Sequence, residues 1–237
     1  MGVKPIVVVD ELPALQQRLA AEFLSRSADA ITRKGKFIVA LPGGSVAQTF
    51  FPTLAAVPVD WTRTDVFWID ERAVPADHPD SNYALAEKLL LQPARVPSTR
   101  VHRMHGELVD LEEAACVASD ELTLVAGSPP RMDVAVVGVG EDGHIASLFA
   151  GAKAYAGPAP PVIAIYDSPK PPLRRLTMTM DVIANAGLVI VAGFGPAKAQ
   201  VIHDAMHDSV SSTPVGHLLR SASASIVLLD SPHLALR

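Results

Sequence analysis

The residues best suited to chemistry in this chain lie in Gly138-Val139-Gly140-Glu141-Asp142-Gly143-His144. Imidazole titrates near pH 6.5, so a histidine held in a turn can accept a proton and return it at neutral pH. A carboxylate two residues away can select its tautomer and support its cationic form. His144 is therefore the candidate general base and Asp142 its candidate partner. The segment also reads as Gly-x-Gly-x-x-Gly, the spacing of a dinucleotide loop. Glu141 and Asp142 would put negative charge where a pyrophosphate must sit, and Gly151, Gly157 and nearby prolines leave little room for the long helix that motif opens. A glycine-framed turn presenting Asp142 and His144 to a cleft fits better.

Anion-binding groups are spread more widely. Pro42-Gly43-Gly44-Ser45 follows an apolar run and precedes a helical pattern. Such a turn lets the backbone approach a ligand and offers free N–H groups at a helix start. It lacks the Gly-Lys-Ser/Thr ending of a nucleotide-triphosphate loop. Asp70-Glu71-Arg72 follows a second apolar run, and three charges in a row are not all expected in a core. Arg72 could fork onto a phosphate or carboxylate, with Asp70, Glu71 and the downstream Asn82 orienting it or binding hydroxyls. Arg175 opens an alternating stretch, and Lys198 sits two residues after Pro196, near a predicted helix start. A cation there suits an anion placed between it and the helix.

These residues need elements to position them. Apolar runs at residues 6–9, 37–41, 66–69, 132–137, 162–166, 188–192 and 226–229 are mostly continuous, as in strands buried on both faces. Helical spacing separates them: Leu12, Leu15, Leu19 and Phe23; then residues 83–90 after the cap types Asp80 and Ser81; then 111–125; then a segment from Pro196. Strands alternating with helices imply parallel pairing, and ligands then bind beyond the strands' carboxyl ends. The loops above all fall there. One α/β domain over residues 1–237 is the economical reading, with 157–161 and 169–172 as surface loops.

With 49% apolar and 19% charged residues the chain can build a core unaided. A net charge of -5 without a basic stripe argues against nucleic acid. No run is long enough to span a membrane, and the first ten residues do not read as a signal peptide, so a cytoplasmic enzyme is expected. Cys116, the single cysteine, excludes a disulfide within the chain and reads as a buried packing residue. His102 with His105, and His203 with His207, lack the third ligand of a metal site, so no metal or cofactor is expected. His78 is expected to be exposed and inert.

In order, Leu41-Pro42-Gly43-Gly44-Ser45, Asp70-Glu71-Arg72-Ala73-Val74-Pro75 with Asp80-Ser81-Asn82-Tyr83, residues 138–149, Asp167-Ser168-Pro169-Lys170-Pro171-Pro172 and Gly195-Pro196-Ala197-Lys198-Ala199 resemble the 6-phosphogluconolactonase family over nearly the whole chain. The resemblance implies a Rossmann-like fold, a mostly parallel sheet flanked by helices, as in glucosamine-6-phosphate deaminases and ribose-5-phosphate isomerases (the NagB/RpiA/CoA-transferase-like group). Deaminases continue Asp-Gly-His with Phe-Asn-Glu and favour Asp-Glu-Tyr. Ala146-Ser147-Leu148 and Asp70-Glu71-Arg72 point to lactonase instead. Pro42, Val46, Ile145 and Ala150 depart from the family's usual residues. The implied reaction is hydrolysis of 6-phospho-D-glucono-1,5-lactone to 6-phospho-D-gluconate, the second step of the oxidative pentose phosphate pathway. His144 would be the base, and Gly43, Gly44, Ser45, Arg72, Arg175 and Lys198 would share phosphate and oxyanion binding. The expected partner is that small phosphorylated lactone, with the chain a monomer or small homo-oligomer. A sugar-phosphate isomerase or deaminase and a non-catalytic sugar-phosphate sensor are the alternatives.

Overall fold

In the computed structural model, residues 4–151, 159–208 and 210–230 are described. Gly157 and Pro158, within one expected surface loop, lie outside the described residues. The chain runs β1 (Ile6–Val9), α1 (Leu12–Lys34), β2 (Phe37–Leu41), α2 (Gly44–Ala55), β3 (Thr64–Trp68), β4 (Asp70–Arg72), α3 (Asn82–Ala86) and α4 (Leu111–Ala126). It continues through β5 (Val134–Gly138), β6 (Val162–Ile165), β7 (Arg175–Met178), α5 (Met180–Ala184), β8 (Leu188–Gly193), α6 (Pro196–His207), α7 (Pro214–Ser221) and β9 (Ser225–Leu229).

Six strands form one sheet in the order β1-β9-β8-β5-β2-β3, and every pairing in it is parallel. The strands alternate side chains between two cores, as a pleated strand must. Phe37, Val39 and Leu41 of β2 face α1 and α2, while Ile38 and Ala40 face α4 and the C-terminal helices. Helix α1 answers with Leu15, Leu19, Phe23 and Ala30, all essentially buried, and Gly35 ends it in the left-handed conformation. Burying a side chain such as Phe23, packed edge-on against Phe37 at 5.1 Å, contributes about 1.5–3 kcal/mol.

Parallel pairing does not extend to the whole molecule. Strands β4, β7 and β6 make a second, antiparallel sheet. Ile69 joins the two: its N–H donates to the Leu41 carbonyl (2.9 Å), and its own carbonyl accepts from Met178 N–H (2.8 Å). Asp70 and Glu71 consequently lie in a strand and are buried, while Arg72 is only partly so. Periodicity could not show this, because three residues carry no period. The helix expected over 83–90 starts as foreseen, with Ser81 Oγ accepting from Ala84 N–H, but widens into a π turn at Glu87–Leu91. Cys116 is exposed on α4, against its expected burial: Ala114, Ala115, Ala118 and Ser119 take the inward positions around it.

Register brings the site loops to one edge. Leu41 pairs with Trp68, and Gly138 pairs with Ala192, so the carboxyl ends of β2, β3, β5 and β8 lie level. The loops that follow them converge above the sheet. No helix among the described residues is long and apolar enough to cross a membrane.

Candidate active site

A cleft of about 280 Å³ opens above these strand ends. Its walls include Gly43, Gly44, Ser45, Asp70, Arg72, His144, Arg175 and Lys198, eight of the eleven residues selected from sequence. Lys170, Glu141 and Ala146 line it as well. Asp142, Glu71 and Asn82 stand behind the lining and act on residues within it.

The β5–His144 turn is closed by its own backbone. Gly140 N–H donates to the His144 carbonyl and Gly143 N–H to the Gly140 carbonyl, both at 2.9 Å. The Gly143 carbonyl accepts from Val215 N–H at 3.0 Å, fixing the turn to α7. Gly140 must lack a side chain, since a Cβ there would lie 2.1 Å from the His144 ring. Residues 145–151, the described stretch that follows, form no helix, consistent with the argument against a dinucleotide loop.

His144 Nδ1 lies 2.5 Å from Asp142 Oδ1, and Phe149 packs on the ring at 4.6 Å. Carboxylate oxygen accepts, so Nδ1 carries the hydrogen and Nε2 is left as the basic nitrogen. Burial pushes the imidazole below its ordinary value, and the Lys170 ammonium adds to this; the Asp142 hydrogen bond and charge pull the other way. Burial also tends to raise Asp142, but His144 and Lys170 outweigh it and hold that carboxyl at about 2. His144 exerts its charge on Asp142 only in acid, where the ring is protonated. Near neutrality the pair is an ionised carboxylate accepting from a neutral imidazole.

One wall of the cleft is built from α2 and α6. Gly43 packs directly on the Asn82 amide, where a Cβ would fall 1.7 Å from Oδ1. Asn82 in turn donates to the Asp70 carbonyl at 2.8 Å. The first residues of α2, Gly44, Ser45 and Val46, line the cleft, and Lys198 Nζ donates to Ser45 Oγ at 3.1 Å. Residues 153 apart in sequence thus share one locus.

Glu71 is a scaffold. Its carboxylate accepts from Asn82, Tyr83 and Arg72 N–H groups and from Ser81 Oγ, tying β4 to the start of α3. Arg72 donates to the Asp80 carbonyl and keeps a buried Nε without a partner. Arg175 is 5% exposed, and burial lowers its pKa against the pull of Asp70. Ser147, named in the sequence only within a family-like triplet and given no role, donates to Asp70 Oδ2 at 2.7 Å and accepts from Arg175 Nη1 at 3.3 Å. Lys170 was present in a family-like segment but had no assigned role; a lysine framed by three prolines was the available signal.

His78 is half-exposed, accepting from Asp80 N–H through Nδ1. Among the described residues no group of three or more His, Cys, Asp or Glu side chains could hold a metal ion.

Residues 10–227 match the family model described as glucosamine-6-phosphate isomerases/6-phosphogluconolactonase. A chloroplastic 6-phosphogluconolactonase 3 of Arabidopsis thaliana is 32% identical over 240 residues, covering 94% of this chain and 73% of the relative. The 6-phosphogluconolactonase of Mycobacterium tuberculosis is 33% identical over 182 residues, covering 73% and 74%. The crystal structure of a 6-phosphogluconolactonase from Shewanella baltica superposes with a TM-score of 0.85 at 26% identity, covering 98% of this chain and all of that one. The parallel sheet, the loops at its carboxyl edge and these matches place the chain in the glucosamine-6-phosphate isomerase/6-phosphogluconolactonase family.

Proposed function

We propose that this protein hydrolyses 6-phospho-D-glucono-1,5-lactone to 6-phospho-D-gluconate, with His144 as general base. The carrying observation is the His144–Asp142 pair at the cleft, with Nδ1 engaged and Nε2 available. The curated relatives' shared name, 6-phosphogluconolactonase, supports the substrate.

In this reading His144 Nε2 takes a proton from water as the water oxygen bonds to the lactone carbonyl carbon. The tetrahedral oxyanion collapses, the bond from carbon to ring oxygen breaks, and the imidazolium returns its proton to that oxygen. One carboxylic acid and one hydroxyl result, and the acid ionises, releasing one proton. Asp142 holds the tautomer and supports the transient imidazolium. The α2 N-terminus at Gly44 and Ser45, with Lys198, suits the phosphate through its N–H groups and a nearby cation. Arg72, with an unpartnered Nε, is the freer guanidinium for the oxyanion or a phosphate oxygen.

Proton release on freshly made lactone, corrected for spontaneous hydrolysis, tests the reading. Rapid release by the wild type that collapses in folded His144→Ala is expected. No acceleration by folded wild type would sink the lactonase reading, and release of ammonia from an amino sugar phosphate would replace it with a deaminase.

A further inference from the structure

Lys170 approaches the base pair from another part of the chain. Its Nζ lies 3.2 Å from Asp142 Oδ1 and 3.4 Å from His144 Nδ1. The first contact is attractive. The second sets a cation beside a nitrogen that already carries hydrogen, and it opposes positive charge on the ring.

A half-exposed lysine would ordinarily wander, and the structure shows what holds this one's backbone. Arg175 spends three of its contacts on the loop: Nε donates to the Pro172 carbonyl (2.9 Å), and Nη2 donates to those of Lys170 (2.9 Å) and Pro171 (3.2 Å). Its remaining arm reaches Ser147 Oγ, which is bonded to buried Asp70. Prolines 169, 171 and 172 restrict φ on either side of the lysine. With its donors committed in this way, Arg175 has little left for a substrate phosphate.

We propose that Lys170 is a positioning residue of the Asp142–His144 pair: clamped by Arg175, it holds Asp142 on Nδ1 and opposes protonation of His144. The charges facing His144 are Asp142 on its own loop, Asp70 from β4 and Lys170 from the loop before β7, with Glu141, Arg72, Arg175 and Lys198 elsewhere in the cleft. Both carboxylates favour the imidazolium, and Lys170 is the cation set directly against them. Burial is the larger influence in the same direction, and together with Lys170 it favours a neutral ring able to take a proton. Once formed, the imidazolium is a stronger acid for delivery to the ring oxygen. This catalytic consequence rests on the lactonase reading, whereas the electrostatic arrangement does not.

The test is a titration of the His144 imidazole by NMR in the substrate-free enzyme, alongside the acid limb of kcat/KM. Lys170→Met should raise the His144 midpoint by about half a pH unit, the scale of one partly screened charge a few ångströms away. Lys170→Arg should restore it, and salt should shrink the difference. Arg175→Gln should shift it in the same direction as Lys170→Met. If that variant fails to fold, the Lys170 substitutions, at an exposed position, decide the matter alone. A midpoint unmoved or lowered in Lys170→Met overturns the proposal, as does a rise in KM with an unchanged pH profile, which would make Lys170 a substrate ligand. A shifted midpoint in an enzyme without lactonase activity would keep the electrostatic assignment and discard the reaction.

Discussion

Among the histidines that sit beside carboxylates, His102 and His144 differ in what their second ring nitrogen meets. His102 is held at both ring nitrogens, with Nδ1 2.7 Å from Glu121 Oε1 and Nε2 3.1 Å from Asp65 Oδ1. It stacks on Phe67 at 4.4 Å, and Arg100 also reaches Asp65 at 3.1 Å. That cluster ties β3 to α4 and leaves neither ring nitrogen free for a ligand. His144 has one nitrogen engaged by Asp142 and the other left at a cleft whose walls carry cations. A carboxylate next to a histidine is therefore no mark of catalysis. What separates the two is the number of ring nitrogens spoken for.

Substitutions can break this contrast. The largest effect is expected for His144→Ala, with a loss of about a hundred- to ten-thousandfold in kcat while the protein stays folded by circular dichroism. Next is Gly140→Ala, whose added Cβ must displace the ring; a displacement near 1 Å costs on the order of a hundredfold in kcat. Normal turnover in that variant would show that the ring position is not critical. Asp142→Asn should cost less than His144→Ala, because the base remains. Asp142 raises the His144 pKa, so its loss should move the acid limb of kcat/KM to lower pH. In the wild type that limb should inflect below pH 6.5: the base works unprotonated, burial holds its pKa down, and activity is lost as pH falls through it. An inflection above 6.5 would contradict the structure.

The smallest effect on turnover is expected for His102→Ala. It leaves kcat unchanged but strips a partner from buried Asp65, costing about 1–3 kcal/mol of stability and lowering Tm by several degrees. A fall in kcat without a fall in Tm would erase the distinction between the two histidines.

Much of the architecture was legible because buried parallel strands write themselves as continuous apolar runs. All seven apolar runs are strands, six of them in the parallel sheet and β6 in the antiparallel one, with ends displaced by a residue or two. The loops at their carboxyl ends followed from that pattern, and with them Gly43, Ser45, His144 and Lys198. The antiparallel sheet was not legible, since β4 is three charged residues whose burial depends on partners some hundred residues away in β7. The carboxylates around His102 were hidden for the same reason: Asp65 and Glu121 are 37 and 19 residues distant.

By itself the sequence determined local matters: where strands, turns and helix starts fall, and that a glycine-framed turn carries an acid and a histidine. Its motifs also pointed to the family. Which groups meet was decided only by tertiary structure. Lys198 reaches Ser45 across 153 residues, Lys170 reaches Asp142 across 28, and Arg175 turns from a free cation into the clamp of a loop. The physical reason is that hydrogen bonds and charges act over a few ångströms of space. Separation along the chain says little about such distances until the sheet has set its register.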